Sequence, residues 1–231
     1  MISNVTETIK YIGVDDTTID LFESQYIVPN GISYNSYLIM DEKIAIMDTV
    51  DLRKGEEWFA NLEEALEGRT PDYLVVQHME PDHAALIKNI ICKFPKVKVV
   101  CTNKTVGMIK NFFDLDISEN AVVVKDGDTL NTGKHELHFV TAPMVHWPEV
   151  MVTYEKNNGI LFSADAFGSF GSINGNLFDD EINFEKDYID EARRYYSNIV
   201  GQYGMQVQML LKKVQNLDIK MICPLHNIII K

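Results

Sequence analysis

The stretch His78-Met79-Glu80-Pro81-Asp82-His83 carries four strong metal ligands in six residues, and two of the four are carboxylates. A surface loop has no structural need for so dense a set, and burying that many ionisable groups without a cation is costly. Three further ligand types, His146, Asp165 and His226, are spread through the C-terminal two-thirds of the chain. Together these are four imidazoles and three carboxylates with no thiolate. Such a hard-to-borderline set suits non-haem iron or manganese and also allows zinc. Three carboxylates against two divalent ions leave little net charge, and a bridging hydroxide supplies the remainder. The fold is expected to gather all seven residues into one site for two metal ions, with iron the expected metal.

The elements around these residues read as alternating runs of strands and helices. Residues 18–22 alternate weakly. After the turn signal Pro29-Asn30-Gly31, residues 33–40 and 43–49 read as a hairpin broken at Asp41-Glu42. Residues 51–66 place Trp58, Leu62, Ala65 and Leu66 at helical spacing. Residues 73–76 are apolar without alternation, the pattern of a strand buried on both faces, and the ligand cluster begins at its end. Pro81 is expected to break regular structure there, with Asp82 capping a helix from near His83 to Cys92. Strand 96–101, helix 104–113 and strand 121–125 follow. The second half starts again with strands over 136–141, 150–154 and 160–163. A Gly/Ser-rich loop over 167–176, helices over 185–200 and 205–215, and a last strand over 219–223 complete the order. This twice-repeated order predicts an α/β fold with two sheets face to face and helices outside, an αββα sandwich. No linker or low-complexity segment interrupts residues 1–231, so one domain is expected. Every candidate ligand falls just past a strand end, which places the site on one rim of the sandwich, among loops.

Bulk properties exclude several partners. Twenty-one basic against 34 acidic residues give a formal charge of −13, a field that repels nucleic acid and anionic lipid. The first ten residues contain no apolar core of a leader peptide, and no apolar run is long enough to span a membrane. Cys92, Cys101 and Cys223 are three in number and unpatterned, which argues against a disulfide framework and fits a reducing cytoplasm. Gly168-Ser169-Phe170-Gly171 lacks the Lys-Ser/Thr of a phosphate loop and opens no helix directly, so nucleotide binding is rejected. His135 and His138 lie in or beside a strand and are assigned no ligand role. Tyr26 and Trp147 are expected as pocket walls. Met79 and Met144 flank ligands, where they would keep water away.

The order His-x-Glu-x-Asp-His, then His146, Asp165 and His226, resembles the diiron module of the flavodiiron proteins. Surrounding words match as well: Tyr34-Asn35-Ser36-Tyr37-Leu38-Ile39, His146-Trp147-Pro148-Glu149, Ala164-Asp165-Ala166-Phe167-Gly168 and Cys223-Pro224-Leu225-His226. The resemblance covers essentially the whole chain and implies a metallo-β-lactamase-like fold, in agreement with the αββα sandwich. Zinc hydrolases of that fold usually carry His-x-His-x-Asp-His, and Glu80 stands where they have the second histidine. The resemblance implies that His78, Glu80 and His146 hold one iron, that Asp82, His83 and His226 hold the other, and that Asp165 bridges them. A bridging oxo, hydroxo or peroxo group is expected between the two irons. It also implies that a tyrosine in the region of Tyr195 lies near the bound gas, where its phenol could hydrogen-bond that ligand, with plain packing as the alternative.

Two departures shape the functional expectation. The sequence ends at Lys231, five residues past His226, without the flavodoxin-like domain of that family, so no FMN is expected to be bound by this chain. His226 is followed by Asn227-Ile228-Ile229-Ile230 instead of the usual Gly-Pro, and this apolar tail reads as a short edge strand or a docking segment. Full reduction of O₂ to water takes four electrons, and two ferrous ions supply two. Without a built-in donor the resemblance implies a stand-alone oxygen-binding diiron protein of the kind associated with bacterial chemosensing, its partner a signalling protein. The alternative is an O₂ or NO reductase served by a separate flavin or rubredoxin-type donor. A second alternative is a binuclear zinc hydrolase. Pairing into a homodimer is possible under each reading.

Overall fold

The computed structural model describes residues 2–231. Strands β1 (Ser3–Asn4), β2 (Ile9–Tyr11), β3 (Val14–Asp16), β4 (Leu21–Phe22), β5 (Tyr26–Ile27), β6 (Ile32–Tyr34), β7 (Tyr37–Ile39) and β8 (Ala45–Met47) lead into helix α1 (Gly55–Leu66). Strand β9 (Tyr73–Val75), helices α2 (Pro81–Ala84) and α3 (Ile87–Lys93), β10 (Lys98–Cys101), α4 (Asn103–Phe113) and β11 (Ala121–Val123) complete the first half. The second half comprises β12 (Thr129–Asn131), β13 (Glu136–Thr141), β14 (Met151–Glu155), β15 (Ile160–Phe162), α5 (Ile189–Tyr195), α6 (Gly204–Val214) and β16 (Met221–Cys223).

The first sheet runs β1-β2-β7-β8-β9-β10-β11, and the second β12-β13-β14-β15-β16. Strand alternation shows how they stack. Ala45 and Met47 of β8, and Tyr73 and Val75 of β9, pack in one cluster with Phe139, Met151, Ile160 and Phe162 of the second sheet. The residues between them, Ile46 and Leu74, join Trp58, Leu62, Ile87, Ile90 and Ile109 of the outer helices. On the far side Val152 and Leu161 join the same second cluster as Ile199, Leu210 and Val214. Each sheet therefore buries one face against the other sheet and one against helices, which is the αββα order. Parallel pairing of β8, β9 and β10 explains why residues 73–76 carry no polar alternation. The hairpin at Asp41-Glu42 forms, with β7 and β8 antiparallel.

Four local expectations are corrected. Residues 33–40 are two strands in different sheets, because Asn35 leaves the ladder and its amide donates to the carbonyl oxygens of Pro224 (2.9 Å) and Asn227 (2.6 Å). Pro81 opens a helix where a break was expected, since proline's fixed φ suits the first helical position and it has no N–H to leave unpaired. Asp82 then lies inside the first turn and does not cap it. Residues 184–200 form wide π turns, Phe184–Tyr188 and Tyr196–Val200, on either side of α5 where one α-helix was expected. The tail after His226 forms the edge pairing that was one of its two readings, bridging Ile230 to Ile222 and Ile229 to Phe178, with Ile228 and Ile229 buried.

Candidate metal centre

All seven expected ligands converge on one rim, each delivered by a loop that leaves a strand. His78 follows β9, and α2 carries Asp82 and His83 back under it. His146 lies between β13 and β14, Asp165 just past β15 and His226 just past β16. Several of these turns need left-handed backbone at residues other than glycine. Ala164 (φ 51°) precedes Asp165, Asn227 (φ 63°) follows His226, and Met144 (φ 65°) lies two residues before His146. Such conformations cost about 1–3 kcal/mol each and persist where surrounding contacts impose them. Asn227 shows the compensation: its side-chain amide donates to the carbonyl oxygen of Phe170 at 2.7 Å, and Asn35 and Tyr37 both hold the carbonyl of Pro224.

The donor atoms form two groups. His78, Glu80, His146 and Asp165 each offer one atom to the first, and Asp82, His83 and His226 to the second. In the first group the Nε2 atoms of His78 and His146 are 3.3 Å apart, and Glu80 Oε2 lies 3.3 Å and 3.0 Å from them. Asp165 Oδ2 lies 3.4 Å from His78 Nε2 and 3.0 Å from His146 Nε2. In the second, His83 Nε2 and His226 Nε2 are 3.1 Å apart, with Asp82 Oδ2 at 3.3 Å and 3.2 Å. Asp165 turns its other oxygen, Oδ1, to this group, 3.2 Å from His83 Nε2. Ligands roughly 2.0–2.2 Å from a common ion lie about 3.0–3.5 Å from one another, so these edges are of the length that two coordination shells sharing Asp165 would have.

Hydrogen bonding alone does not account for the arrangement. Both oxygens of Asp82 and Oδ1 of Asp165 are buried without an aligned hydrogen-bond partner. Buried carboxylates with spare lone pairs aimed at imidazole nitrogens fit a cation between them. The donor set, its edges and these orphaned oxygens all fit two bound metal ions.

Charge balance points the same way. Burial alone would lower His146, but its hydrogen bonds to Asp165 and Glu80 outweigh this and push it up to about 9. Burial likewise opposes the charge on His226, and Asp82 overcomes it, raising it to about 9. Glu80 is opposed by burial and held down to about 2 by its bonds to His146 and His78. Without metal, protons on His146 and His226 offset carboxylate charge, and a divalent ion would replace them.

Further residues fix the ligands. Glu149 Oε1 accepts from His78 Nδ1 at 2.9 Å and from the Met79 amide at 2.8 Å. Because a carboxylate only accepts, His78 carries a proton on Nδ1, which leaves Nε2 as the nitrogen that would bind a metal. His226 Nδ1 donates to the Ser33 carbonyl at 2.7 Å. Asp48, buried and itself left-handed (φ 54°), accepts from the Gln77 amide at 2.7 Å. Thr49 Oγ1 donates to the His83 carbonyl at 2.7 Å. None of these four was singled out by sequence reasoning. Glu149 lay inside a quoted motif, and Asp48 is a charged residue ending an apolar strand, the only signals available.

The remaining expectations sort by distance. Tyr195 is buried, its ring 5.5 Å from the His226 ring and 5.1 Å from Phe170, and its hydroxyl has no hydrogen-bond partner. Trp147 stands edge-on to His78 at 5.4 Å, and Tyr26 packs at 5.6 Å from Phe170. Met79 is fully buried and Met144 half-buried. His135 lies apart, between Thr8 Oγ1 (2.9 Å) and Glu155 Oε1 (3.0 Å), and His138 pairs with Glu136.

A family model described as ODP family beta lactamase matches residues 32–227. Among curated proteins, the chain is 34% identical over 233 residues to an anaerobic nitric oxide reductase flavorubredoxin of Vibrio vulnificus, covering 99% of this chain and 47% of that protein. It is 36% identical over 228 residues to a nitric oxide reductase of Moorella thermoacetica, covering 97% and 56%. The chain thus spans about half the length of the curated relatives it matches. Among solved structures, rubredoxin oxygen:oxidoreductase of Desulfovibrio gigas superposes with a TM-score of 0.94 at 28% identity, covering 100% of this chain and 57% of that one. The flavodiiron protein of Giardia intestinalis gives 0.93 at 28%, covering 100% and 56%. No helix among the described residues is long and apolar enough to cross a membrane.

Proposed function

We propose a function from one premise, that this chain belongs to the ODP beta-lactamase family with the core fold of the flavodiiron proteins: it is a non-haem diiron module that reduces NO or O₂ with electrons from a separate flavin or rubredoxin-type donor. The observation that carries this reading is Asp165, whose two oxygens face two separate ligand groups. His78, Glu80 and His146 would hold one iron, Asp82, His83 and His226 the other, and Asp165 would span them. A bound ferrous pair supplies two electrons and open coordination positions for the gas.

The chain's own residues set the conditions. Glu80, a carboxylate where zinc hydrolases of this fold carry imidazole, shifts the site toward hard, redox-active iron. Trp147, Phe170 and Tyr195 exclude water. The Tyr195 phenol, buried with its proton unclaimed, is a donor available to a bound diatomic. Glu80 and Asp82 also line a cleft of about 240 Å³ with Leu21, Glu23 and Arg53, and this is the face on which an electron donor would approach. Complete reduction of O₂ requires two more electrons than a ferrous pair holds, so turnover depends on that donor. The reductase names of the relatives support this reading over the sensing one.

The test is anaerobic iron loading with a metal count, followed by mixing with NO or O₂ and a generic reduced flavin or rubredoxin. Two irons per chain and many turnovers are expected. A long-lived coloured adduct that no donor turns over would replace the proposal with sensing, and zinc without iron in the isolated protein would replace it with a hydrolase.

A further inference from the structure

A second opening borders the centre at Asp165 and shares no lining residue with the carboxylate cleft. It is a cavity of about 470 Å³ whose walls come from α5, α6 and the loop after Asp165. Ala166, Phe167, Ala192, Val200, Val207 and Leu210 make those walls apolar, and its inner end includes Asp165 and Tyr195. The wide π turns on both sides of α5 supply Tyr188 and Tyr196 to its sides. Two independent features mark the inner end as more than a packing defect. The Tyr195 hydroxyl is buried without a partner, although buried hydroxyls are normally hydrogen-bonded. Gly168 lines the same end, and a Cβ there would lie 3.0 Å from Tyr195 Cε1 and 3.1 Å from the Asp165 carbonyl oxygen, so any side chain would crowd the neck.

We propose that this apolar cavity is the entry chamber through which an uncharged diatomic gas reaches the metal centre, with the Tyr195 ring as the movable inner wall. The proposal rests on the diiron reading above. An apolar chamber takes up a non-polar gas in preference to water, as dry apolar cavities in proteins take up xenon. The cleft beside Glu80 and Asp82 is bounded by carboxylates and Arg53 and favours water and ions instead. The two openings thus divide the traffic: gas from the α5–α6 side, electrons from the carboxylate side. Tyr195 lines the cavity with its ring 5.5 Å from that of His226, so a rotation of its ring admits the gas and brings the free hydroxyl to it.

The experiment uses xenon on the full chain without metal, and NO on the iron-loaded chain. Xenon, followed by its NMR shift or by pressurised crystals, is expected to occupy the cavity, and Ala192→Trp is expected to abolish that occupancy. In stopped-flow mixing, Ala192→Trp is expected to slow NO association about tenfold, within the range over which association rates respond to mutation. Val207→Phe, a smaller plug, should slow it less, with iron content unchanged in both. Leu21→Trp, which narrows the carboxylate cleft, should leave the NO rate as it is. Absence of xenon from the cavity, or slowing by Leu21→Trp and not by Ala192→Trp, overturns the proposal. Loaded protein that holds xenon but never binds NO would instead defeat the diiron reductase reading, so the two failures are distinguishable.

Discussion

Glu149 offers the sharpest test of how the centre is built, because it touches one ligand group and not the other. Its Oε1 accepts from His78 Nδ1 at 2.9 Å and from the Met79 amide at 2.8 Å, and its side chain is fully buried. In Glu149→Ala the His78 ring loses the partner that fixes its tautomer and orientation. Outer partners of ligating histidines typically contribute about 10–100-fold in metal affinity, which corresponds to about 1.4–2.8 kcal/mol. The Met79 amide is left buried without an acceptor, a further cost of about 1–3 kcal/mol to the fold. Glu149→Gln keeps the one oxygen that accepts from both donors and loses only the charge, so it should fall between.

The assay is anaerobic Fe(II) titration against a competing chelator, with thermal unfolding measured on the metal-free chains. Glu149→Ala is expected to lose the His78–Glu80–His146 position first, so that under competition the metal count falls toward one per chain. The Asp82–His83–His226 position should keep its affinity, because its histidine His226 is held independently by the Ser33 carbonyl. Equal weakening of both positions would mean that Glu149 acts through the fold as a whole. Unchanged affinity at both would refute the idea that it orients His78 at all.

Metal loading at neutral pH should release protons, because His146 and His226 sit near 9 in the metal-free chain; the sign is that apparent affinity rises with pH until those groups are neutral, and calorimetry in buffers of different ionisation heat reads the proton count. Glu80→His should move metal preference toward zinc and weaken O₂ reactivity, and unchanged iron content with unchanged O₂ uptake would count against the role given to Glu80. Tyr195→Phe removes a hydroxyl with no partner, so unfolding should be unchanged or slightly harder while the reaction with NO slows; a destabilised variant would reveal a hidden partner. His135→Ala should cost about 1–3 kcal/mol in denaturant unfolding while leaving metal content intact, since it breaks the link from Thr8 to Glu155 at a distance from the centre.

The legible part of this molecule was the part whose information is local. Four ligands in six residues announce a metal site, and apolar runs ending in ligand types announce the rim that carries it. The uniform apolar character of residues 73–76 reports burial on both faces directly. What stayed hidden depends on distant partners. Asn35 looks like any residue of a β pattern, yet its amide is taken by Pro224 and Asn227, nearly two hundred residues later, and this splits the expected strand in two. β1 and β2 escaped notice because strands of two and three residues carry too few alternations to register. Asp82 had the right type and place for a cap, but its Oδ2 faces both His83 and His226 instead.

The same division explains how the centre is held. The first half of the chain supplies His78, Glu80, Asp82 and His83, and the second supplies His146, Asp165 and His226, so each donor group joins both halves. The supports cross as well: Glu149 of the second half holds His78, and Ser33 of the first holds His226. A metal ion in either position therefore ties one sheet's rim to the other's, and its binding free energy is also free energy of folding for the loops between. Asp165 is the one ligand shared by both groups, fully buried and delivered by a left-handed residue that the surrounding contacts must impose. Asp165→Ala should thus uncouple the two positions before it unfolds the sheets: each triad keeps its own three ligands, while cooperative uptake of the second ion is lost. Stepwise binding in the variant against joint binding in the parent, read from the same chelator competition, decides it; joint binding in both would mean that the two halves are coupled by the fold and not by the bridge.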